Sequence, residues 1–529
     1  MPSGNDDQHD VESQQHQQQH SDSGSETAHA PHEDEVPEKQ PEPEDQLRTS
    51  PKGPGEDSNN AQDPNLVTWD GPDDPENPLN WSSSKRWTTV AVVSYLTFLA
   101  PLSSTVPAPT VPYIIKDFAV ADPKTEGTLV TTIYILAYVF GPLLIAPLSE
   151  LYGRLPLYHA CNTLYLVFSI ACAVAGNMSS LIAFRFLAGL ASSCPLTIGA
   201  GSIADIVPLR RRGLAMTFWV MGPLVGPTIG PLAGGYLAES RGWRWVFWLI
   251  SILAALGWIL GFIFLRESYA TVILKRKAAR LRKETGNMDL VSALDTGRSP
   301  RQLFAFSIVR PLKMLLFQPI VLMTSANMAM IYGYLYLLFT TFPRVFGGQY
   351  GFSTGSVGLA YLGVGLGSFL GLILTGAFSD RTVAALTKRN GGVHKAEFRL
   401  PPMFVGAFLV PAGLFVYGWT AEAHAHWILP IIGSAILGFG MMTIFTPSTT
   451  YIIDAFTVYA ASGTAAATVL RSILGAVLPL AGEPMYDALG LGWGTSVLAF
   501  IAVAFTPVPF VFWIYGERIR KSERFRMDL

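Results

Sequence analysis

Twelve apolar blocks, each about twenty residues or longer, dominate the sequence after Trp87. About 20 apolar residues in a helix cross a hydrocarbon layer about 30 Å thick, and only a helix or a closed barrel satisfies its backbone hydrogen bonds there. The blocks therefore predict an all-α membrane protein with twelve transmembrane helices. We place these spans near residues 88–112, 128–147, 156–176, 179–203, 213–237, 244–265, 315–341, 355–378, 402–420, 427–450, 459–481 and 492–515.

The spans fall into two groups of six, and polar segments of different charge surround them. Residues 1–80 hold 20 Asp and Glu against 3 Lys and Arg, and almost no large apolar side chains. Such a segment buries too little surface to offset the entropy lost on ordering, so we expect a disordered acidic tail. The predicted domains are this tail, a six-helix bundle at 88–265, a basic linker at 266–313, a second six-helix bundle at 315–515 and a short tail at 516–529.

The basic residues are distributed unevenly between the two sides of the predicted membrane. With the amino terminus inside, the inner loops and helix ends hold 27 Lys and Arg and the outer ones hold 5. Cytoplasmic loops carry an excess of Lys and Arg. The asymmetry predicts that both termini and the linker are cytoplasmic.

The two groups of six repeat each other at their inner ends. The loop after the second span reads PLSELYGR and the loop after the eighth reads GAFSDR, while the fourth and tenth spans end in IAD and IID. We expect these acids and nearby arginines to form ion-pair clusters that break and re-form as a cytoplasmic gate. The alternative is that the basic residues only obey the positive-inside rule. The predicted clusters are Glu150, Arg154, Asp205 and one of residues 210–212 in the first half, and Asp380, Arg381 and Asp454 in the second.

The fifth span contains the stretch GPLVGPTIGPLAGGY, residues 222–236. Glycines that recur every four residues leave one helix face without side chains. Each proline removes a backbone donor, which a membrane helix tolerates only where neighbours satisfy the freed carbonyl. The face is either a close packing surface or a flexible hinge line between two moving bundles. The glycine face consists of Gly222, Gly226, Gly230 and Gly234, and the candidate hinge is the whole motif, which adds Pro223, Pro227, Pro231 and Gly235.

The eighth span repeats the glycine spacing of the fifth. It carries Gly363, Gly367 and Gly371, again four residues apart. We expect this glycine face to meet that of the fifth span across the two halves and to seal the outer side.

The repeated GPxxGPxxGPxxGG pattern resembles the antiporter motif of drug:proton antiporters in the major facilitator superfamily. Residues 74–520 resemble fungal twelve-span multidrug and polyamine antiporters, including the segment DPENPLNWSSSKRW that precedes the first span. The family loop pattern GxLxDRxGRR is kept only in part. Gly153 and Arg154 match it, but Glu150 and Leu151 stand where the pattern has Asp and Arg. The resemblance implies two bundles related by a repeat, with a substrate site between them near the midplane.

Two arginines, Arg185 and Arg471, lie inside the fourth and eleventh spans. A charge in hydrocarbon is costly and normally faces a cavity or a partner. Arg185, in FRFLAGL, resembles the RxxxG motif that the family links to proton movement, whereas Arg471 fits a functional or a structural role equally. Spans 1, 2, 7 and 8 hold no acid at depth, so the proton carrier stays open among Asp117, Glu126, Asp205, Asp454, Glu483 and Asp487.

The implied fold lines a central cavity with spans 1, 4, 7 and 10 and their neighbours. An aromatic, methionine-containing wall suits bulky amphipathic compounds better than sugars. The candidate cavity residues are Tyr95, Tyr134, Tyr138, Trp219, Asn327, Tyr332, Tyr334, Met441 and Phe445.

The resemblance implies a secondary active exporter of amphipathic drugs, toxins or secondary metabolites that works by alternating access in exchange for protons. Its expected partners are a small-molecule substrate, protons and membrane lipid, and we expect a monomer in the plasma membrane, with the vacuolar membrane as the alternative. An importing permease or a transport-dead receptor on the same fold is the other reading of the function.

Several other classes are excluded by what the sequence lacks. It has no GxxxxGK[ST] loop for ATP and no HExxH or GxSxG motif, so we expect neither an enzyme nor a cofactor. The three cysteines all lie in apolar segments and the histidine spacing fits no ligand set, so we expect no metal. The basic residues follow membrane topology, which speaks against nucleic acid.

Overall fold

The computed structural model describes residues 65–295, 297 and 299–522. Most of the predicted acidic tail, up to residue 64, lies outside the described residues, as do residues 523–529. Fifteen α-helices and one small sheet make up the described part. The helices are α1 Ser83–Thr105, α2 Val111–Phe118, α3 Pro123–Tyr152, α4 Arg154–Ala173, α5 Met178–Ile206, α6 Leu209–Arg241, α7 Arg244–Phe264, α8 Ala270–Thr285, α9 Pro300–Phe317, α10 Pro319–Phe342, α11 Thr354–Arg389, α12 Pro401–Glu422, α13 Ile428–Ala455, α14 Ala460–Phe505 and α15 Pro507–Lys521.

Shorter elements connect these helices. Turns of 3-10 helix lie at Pro78–Asn80, Ala108–Thr110, Ala396–Arg399 and Thr457–Tyr459, and a π-helical turn lies at Pro343–Gln349. Two short strands, β1 Leu66–Val67 and β2 Val291–Ser292, pair in parallel.

The helices confirm the predicted all-α membrane fold with two six-helix bundles. Among the described residues, eleven helical stretches are long and apolar enough to cross a membrane, and the last, Ala460–Lys521, is 62 residues long. That stretch breaks at Gly490, whose φ of 75° and ψ of 173° are not helical. A Cβ on Gly494 would lie 2.7 Å from the ring of Tyr486, so the chain reverses there. The stretch therefore supplies two spans, which gives twelve.

The two halves meet along two symmetry-related seams. The first half comprises α1–α7 and the second α10–α15, and the contacts between them are dominated by α6 against α11 and α3 against α14. The fifth span of each half thus packs on the second span of the other. We call the end that carries Asn65, α8 and Lys521 the termini end and the opposite end the far end.

A small folded unit lies at the termini end, where the sequence led us to expect disorder up to residue 80. The strand before α1 pairs with the strand after α8, and the carboxylate of Asp74 accepts backbone hydrogen bonds from Asp70 and Glu76 at 2.9 and 2.8 Å. Lys277 of α8, only 4% exposed, pairs with Asp70 at 2.6 Å and with Asp74 at 3.4 Å. These partners order residues 65–80, because they supply the burial that the acidic tail lacks.

Candidate transport site and gates

Arg185 is buried inside the first half and is satisfied by backbone carbonyls. Its Nε donates to the carbonyl of Val130 at 2.9 Å, and its Nη1 and Nη2 donate to those of Ser103 and Ser104 at 2.7 and 3.3 Å. Pro107 has no N–H for the Ser103 carbonyl four residues earlier, and α1 ends at this point. The guanidinium therefore completes the broken end of α1 and fastens it to α3 and α5.

Four tyrosines lie beside this arginine and across the interface between the halves. We call Tyr134, Tyr138, Tyr332 and Tyr336 the central tyrosine cluster. The guanidinium carbon of Arg185 lies 4.3 Å from the Tyr134 ring, whose centroid is 5.7 Å from that of Tyr138. In the second half, the rings of Tyr332 and Tyr336 are 5.0 Å apart. The hydroxyls of Ser104 and Tyr336 are 2.9 Å apart, so a hydrogen bond joins the two halves here.

Arg471 approaches the same cluster from the second half. Its guanidinium carbon lies 5.1 Å from the Tyr332 ring and 5.3 Å from the Phe445 ring. Its Nη2 is 3.5 Å from the Thr468 hydroxyl, and its Nε is buried without a hydrogen-bond partner in the described structure. Arg471 is therefore less completely satisfied than Arg185.

The structure separates the predicted cavity residues into two groups. Tyr134, Tyr138, Tyr332 and Phe445 lie around the two arginines, and Met441 lies one helical turn from Phe445. Tyr336 was missed, although it follows Tyr332 by four residues and so shares its helix face.

The remaining predicted cavity residues face neighbours within a single half. Tyr95 donates to the carbonyl of Leu253 at 2.9 Å, and Trp219 packs beside Gly199. Asn327 and Tyr334 line a small cleft inside the second half, where Tyr334 donates to the carbonyl of Leu498 at 3.0 Å.

The glycine face of α6 packs on α1 and not on the eighth span, so the expected meeting of the two glycine faces is wrong. A Cβ on Gly222 would lie 2.9 Å from the backbone nitrogen of Phe98, and one on Gly226 would lie 2.8 Å from that of Leu102. Gly230 faces Thr105 and Gly234 faces the Val106 carbonyl. The side-chain-poor face lets two helix backbones of one half approach closely, and its role as a hinge stays a prediction.

The glycines of the eighth span, which were predicted to face α6, also pack within their own half. Gly363, Gly367 and Gly371 of α11 pack against Ile431, Ala435 and Phe439 of α13, which belongs to their own half. The spacing identified two close helix contacts correctly but could not identify the partner helices.

The seam between α6 and α11 uses other small residues near the far end. A Cβ on Gly358 would lie 2.6 Å from the carbonyl of Pro231, and one on Gly235 would lie 2.5 Å from that of Thr354. The backbone N–H of Gly355 donates to the carboxylate of Glu239 at 2.8 Å. Backbone therefore meets backbone across the halves along this seam.

Charged residues link the second seam at the far end. Lys124 of α3 pairs with Asp487 of α14. Arg344 pairs with the same Asp487 at 3.0 Å and with Glu483 at 2.8 Å. These four side chains line a cavity of about 380 Å³ with apolar residues of both halves. Of the candidate proton carriers, Glu483 and Asp487 thus belong to a network that bridges the halves.

Another candidate proton carrier, Asp117, pairs with Arg244 at 2.6 Å inside the first half.

At the termini end, Arg154 is the centre of the first predicted cluster. It lies 3.4 Å from Asp205 and donates to the Ser149 hydroxyl at 2.5 Å. Its backbone N–H donates to Glu267 at 2.9 Å, so Glu267 caps the start of α4. Glu267 was missed, although an acid directly after the sixth span was the signal. Glu150 is exposed at the end of α3, and its predicted part in the gate stays a prediction.

The arginines at 210–212 have a smaller part in this cluster than predicted. Arg212 donates to the carbonyl of Ala204 at 3.0 Å, one residue before Asp205. Arg210 and Arg211 are exposed.

The second cluster is built on Arg399 and not on Arg381. Arg399 pairs with Asp380 at 3.1 Å and with Asp454 at 2.9 Å, while Arg381 is exposed. The prediction matched Arg381 to Arg154 by loop sequence, but α11 continues as a helix to Arg389. Arg154 opens α4 and Arg399 lies two residues before the start of α12, so Arg399 takes the equivalent position.

The Arg154 and Arg399 ion pairs each lie within one half of the protein, whereas the far end and the central tyrosine cluster contain contacts that join the halves. In the described residues, no three His, Cys, Asp or Glu side chains come together as a metal site. Twelve spans in two matching halves, with cationic and aromatic side chains between the halves, are the architecture of a membrane transporter.

Comparison with known proteins agrees with that class. Residues 93–479 match the family described as Major Facilitator Superfamily. The MFS-type transporter penM of Penicillium rubens is 56% identical over 467 residues, 88% of this chain and 92% of the relative. Efflux pump radE of Floropilus chiversii is 49% identical over 469 residues, 88% and 87% of the two chains. The chain belongs to the major facilitator superfamily and is a multi-pass membrane transporter rather than an enzyme.

The fold is also similar to solved transporter structures. A partially occluded inward open conformation of the xylose transporter XylE from E. coli superposes with a TM-score of 0.61 at 16% sequence identity, over 82% of this chain and 98% of that one. At this level of identity the likeness shows the shared fold alone.

Proposed function

We propose that the protein is a secondary active exporter of amphipathic organic compounds that works by alternating access. The observation that carries the proposal is the central tyrosine cluster, which lies between the halves. Its member Tyr336, in the second half, shares a hydrogen bond of 2.9 Å with Ser104 of the first half. Aromatic walls bind bulky apolar compounds, and a relative 49% identical is named an efflux pump. A compound held there would contact both halves and so respond to their movement.

The structure fits a state that is closed at the far end. Near that end Pro231 of α6 packs on Gly358 of α11, and at about mid-depth Thr228 packs on Gly365. Toward the termini end, the ion pairs of Arg154 and of Arg399 each stay within one half. The basic loops favour a cytoplasmic termini end, so compounds would enter from the cytoplasm in this state.

We further propose that protons drive export and that Asp487 is one of their carriers. Asp487 pairs with Lys124 of the other half and with Arg344. Lys124 and Arg344 hold the pKa of Asp487 below its usual value while the pairs are formed, so protonation requires the pairs to open and would then remove one link between the halves at the far end. Arg185 and the termini-end clusters would then hold each bundle together while the bundles rotate.

Export is tested in yeast cells that lack their own drug pumps and that express the full chain in the plasma membrane. Cells are loaded with the fluorescent dye Nile red, which is neutral and amphipathic, and its release is followed after addition of glucose at external pH 5 and pH 7, chosen as conditions of about hundredfold different proton concentration. We expect faster release than from cells with empty vector, and faster release at the lower pH. Faster dye uptake by expressing cells would favour the importing permease, and no difference in either direction would contradict transport of this compound class.

A further inference from the structure

We infer that the exported compounds carry an acidic group and that Arg471 binds it. The inference rests on the proposed function, because it names the chemical class of the exported compound. It begins from the charge balance of the central site, which contains two arginines and, among the described contacts, no acid.

Arg471 lies at the middle of its span. It follows the first residue of α14 by eleven positions, which places it about 16 Å along the helix, near the centre of a hydrocarbon layer about 30 Å thick. A charged side chain at that depth is normally paired or faces a water-filled cavity. In the part of the chain that the structure describes, none of the ion pairs includes Arg471.

A comparison of the two arginines shows that Arg471, and not Arg185, has guanidinium N–H groups available for a ligand. Arg185 donates through Nε, Nη1 and Nη2 to three carbonyls, and its side chain is 2% exposed. Arg471 has one long contact at 3.5 Å, to the Thr468 hydroxyl, and its buried Nε has no partner in the described structure. A guanidinium offers Nε and Nη as a fork that matches the two oxygens of a carboxylate.

The surroundings of Arg471 suit the rest of an amphipathic acid. The rings of Tyr332 and Phe445 lie 5.1 and 5.3 Å from the guanidinium carbon and provide apolar walls beside the charge. Aromatic faces also hold a cation in place without neutralising it. An anion bound to the fork would place its apolar part against these rings.

The position of Arg471 also couples such a ligand to the movement of the halves. Gly475 lies one turn farther along the same face of α14, and a Cβ there would lie 2.9 Å from Tyr332 and 3.4 Å from Ile135 of the first half. On α3, Tyr138 has a buried hydroxyl without a partner among the described residues. An acid bound at Arg471 thus lies at the depth where the two halves close on each other.

The same charge balance disfavours permanently cationic compounds, because two arginines near the central tyrosine cluster repel them. The predicted class comprises organic acids that are ionised near neutral pH, such as carboxylic acids and acidic phenols or enols.

The inference is tested by binding of a matched pair of probes, dansylaminoundecanoic acid and its methyl ester. The purified full chain is placed in lipid nanodiscs, and binding is measured by energy transfer from tryptophan to the dansyl group, with the signal of empty nanodiscs subtracted. The variants are Arg471→Met, Arg471→Lys and, as a control for loss of an exposed arginine, Arg518→Met. We expect the natural chain and Arg518→Met to bind the acid at least tenfold more tightly than the ester.

In Arg471→Met we expect this preference to disappear while affinity for the ester stays within about twofold, and in Arg471→Lys we expect part of the preference to remain. Equal binding of acid and ester by the natural chain, absence of binding, or an unchanged preference in Arg471→Met would overturn the inference. Equal loss of both probes in Arg471→Met would assign the residue a structural role and also overturn it. If the acid preference depends on Arg471 but cells export neither probe, the binding site stands and the proposed export fails.

Discussion

Ser104 and Tyr336 share a hydrogen bond of 2.9 Å that joins the two halves near mid-depth. The carbonyl of the same Ser104 accepts a hydrogen bond from Arg185. One residue of α1 therefore connects the buried arginine of the first half with Tyr336 of the second.

Removing the Tyr336 hydroxyl should shift the protein toward the state that is open at the far end. A buried hydrogen bond contributes about 1 kcal/mol, so Tyr336→Phe should change the ratio of states by about fivefold. The measurement is the rate of maleimide labelling of a cysteine introduced at Thr340, which lies in the far-end cavity. Tyr334→Phe is the control, because its hydroxyl bonds within the second half, and equal labelling rates in the two variants would contradict the prediction.

Gly358 should be required for closure of the far end. The Cβ of Gly358→Ala would lie 2.6 Å from the Pro231 carbonyl across the seam. Because this contact is with backbone, we expect a protein of normal abundance whose export falls at least tenfold. Gly376→Ala, on the same helix but with no atom within 4 Å of the added Cβ, should keep full export and gain about 0.5 to 1 kcal/mol of stability. Equal export by both variants would remove the role of the seam.

Exchanging the charges of Lys124 and Asp487 should show whether their attraction, rather than either side chain alone, keeps the far end closed. Both side chains are partly exposed, so the pair contributes at most about 1 kcal/mol and weakens with salt. Lys124→Glu should raise labelling at Thr340 by repulsion from Asp487 and Glu483. The double variant with Asp487→Lys should lower the rate again at low salt, though not to the natural value, because the introduced ammonium also repels Arg344. Absence of any rescue would show that the two charges act independently.

Arg399 and Arg381 should differ sharply in their effect, although the sequence motif favours Arg381. Arg399→Gln leaves Asp380 and Asp454 without their shared partner, and we expect reduced export and a lower melting temperature. Arg381→Gln removes an exposed charge and should stay close to the natural chain. The two purified variants are compared by thermal unfolding and dye export, and an Arg381→Gln protein as impaired as Arg399→Gln would contradict the structural assignment.

The unit that joins residues 65–80 to α8 should loosen in acid. Burial raises the pKa of Asp74, but the backbone hydrogen bonds and the Lys277 ammonium outweigh it and leave the pKa below its usual range. A lowered pKa stabilises the folded unit at neutral pH, and this contribution is lost as the pH falls through that value. Hydrogen exchange of residues 65–80, corrected for intrinsic rates, should rise below about pH 4 and should already be high at pH 7 in Lys277→Met.

The span pattern was sufficient for the fold, because hydrocarbon imposes helices of a fixed minimum length on any apolar block. The glycine spacing also predicted close helix contacts correctly. It could not name the partner of each face, since Gly222 and Gly363 meet α1 and α13 through contacts that depend on how the helices are arranged in three dimensions.

The candidate site was predicted less completely for the same reason. Tyr134 and Tyr332 belong to spans far apart in sequence, and their common location was inferred only from the family fold. Arg399 escaped detection because a helical extension separates it from the loop motif, and Glu267 because its partners are backbone N–H groups of α4.

The two seams between the halves differ in texture. Along α6 and α11 the helix backbones contact each other with few side chains between them, whereas along α3 and α14 aromatic rings and ion pairs hold the halves together. We expect the first seam to allow the halves to slide and the second seam to hold them in the closed state. Substitutions in the first seam should therefore change the turnover rate. Substitutions in the second seam should change which substrates trigger opening.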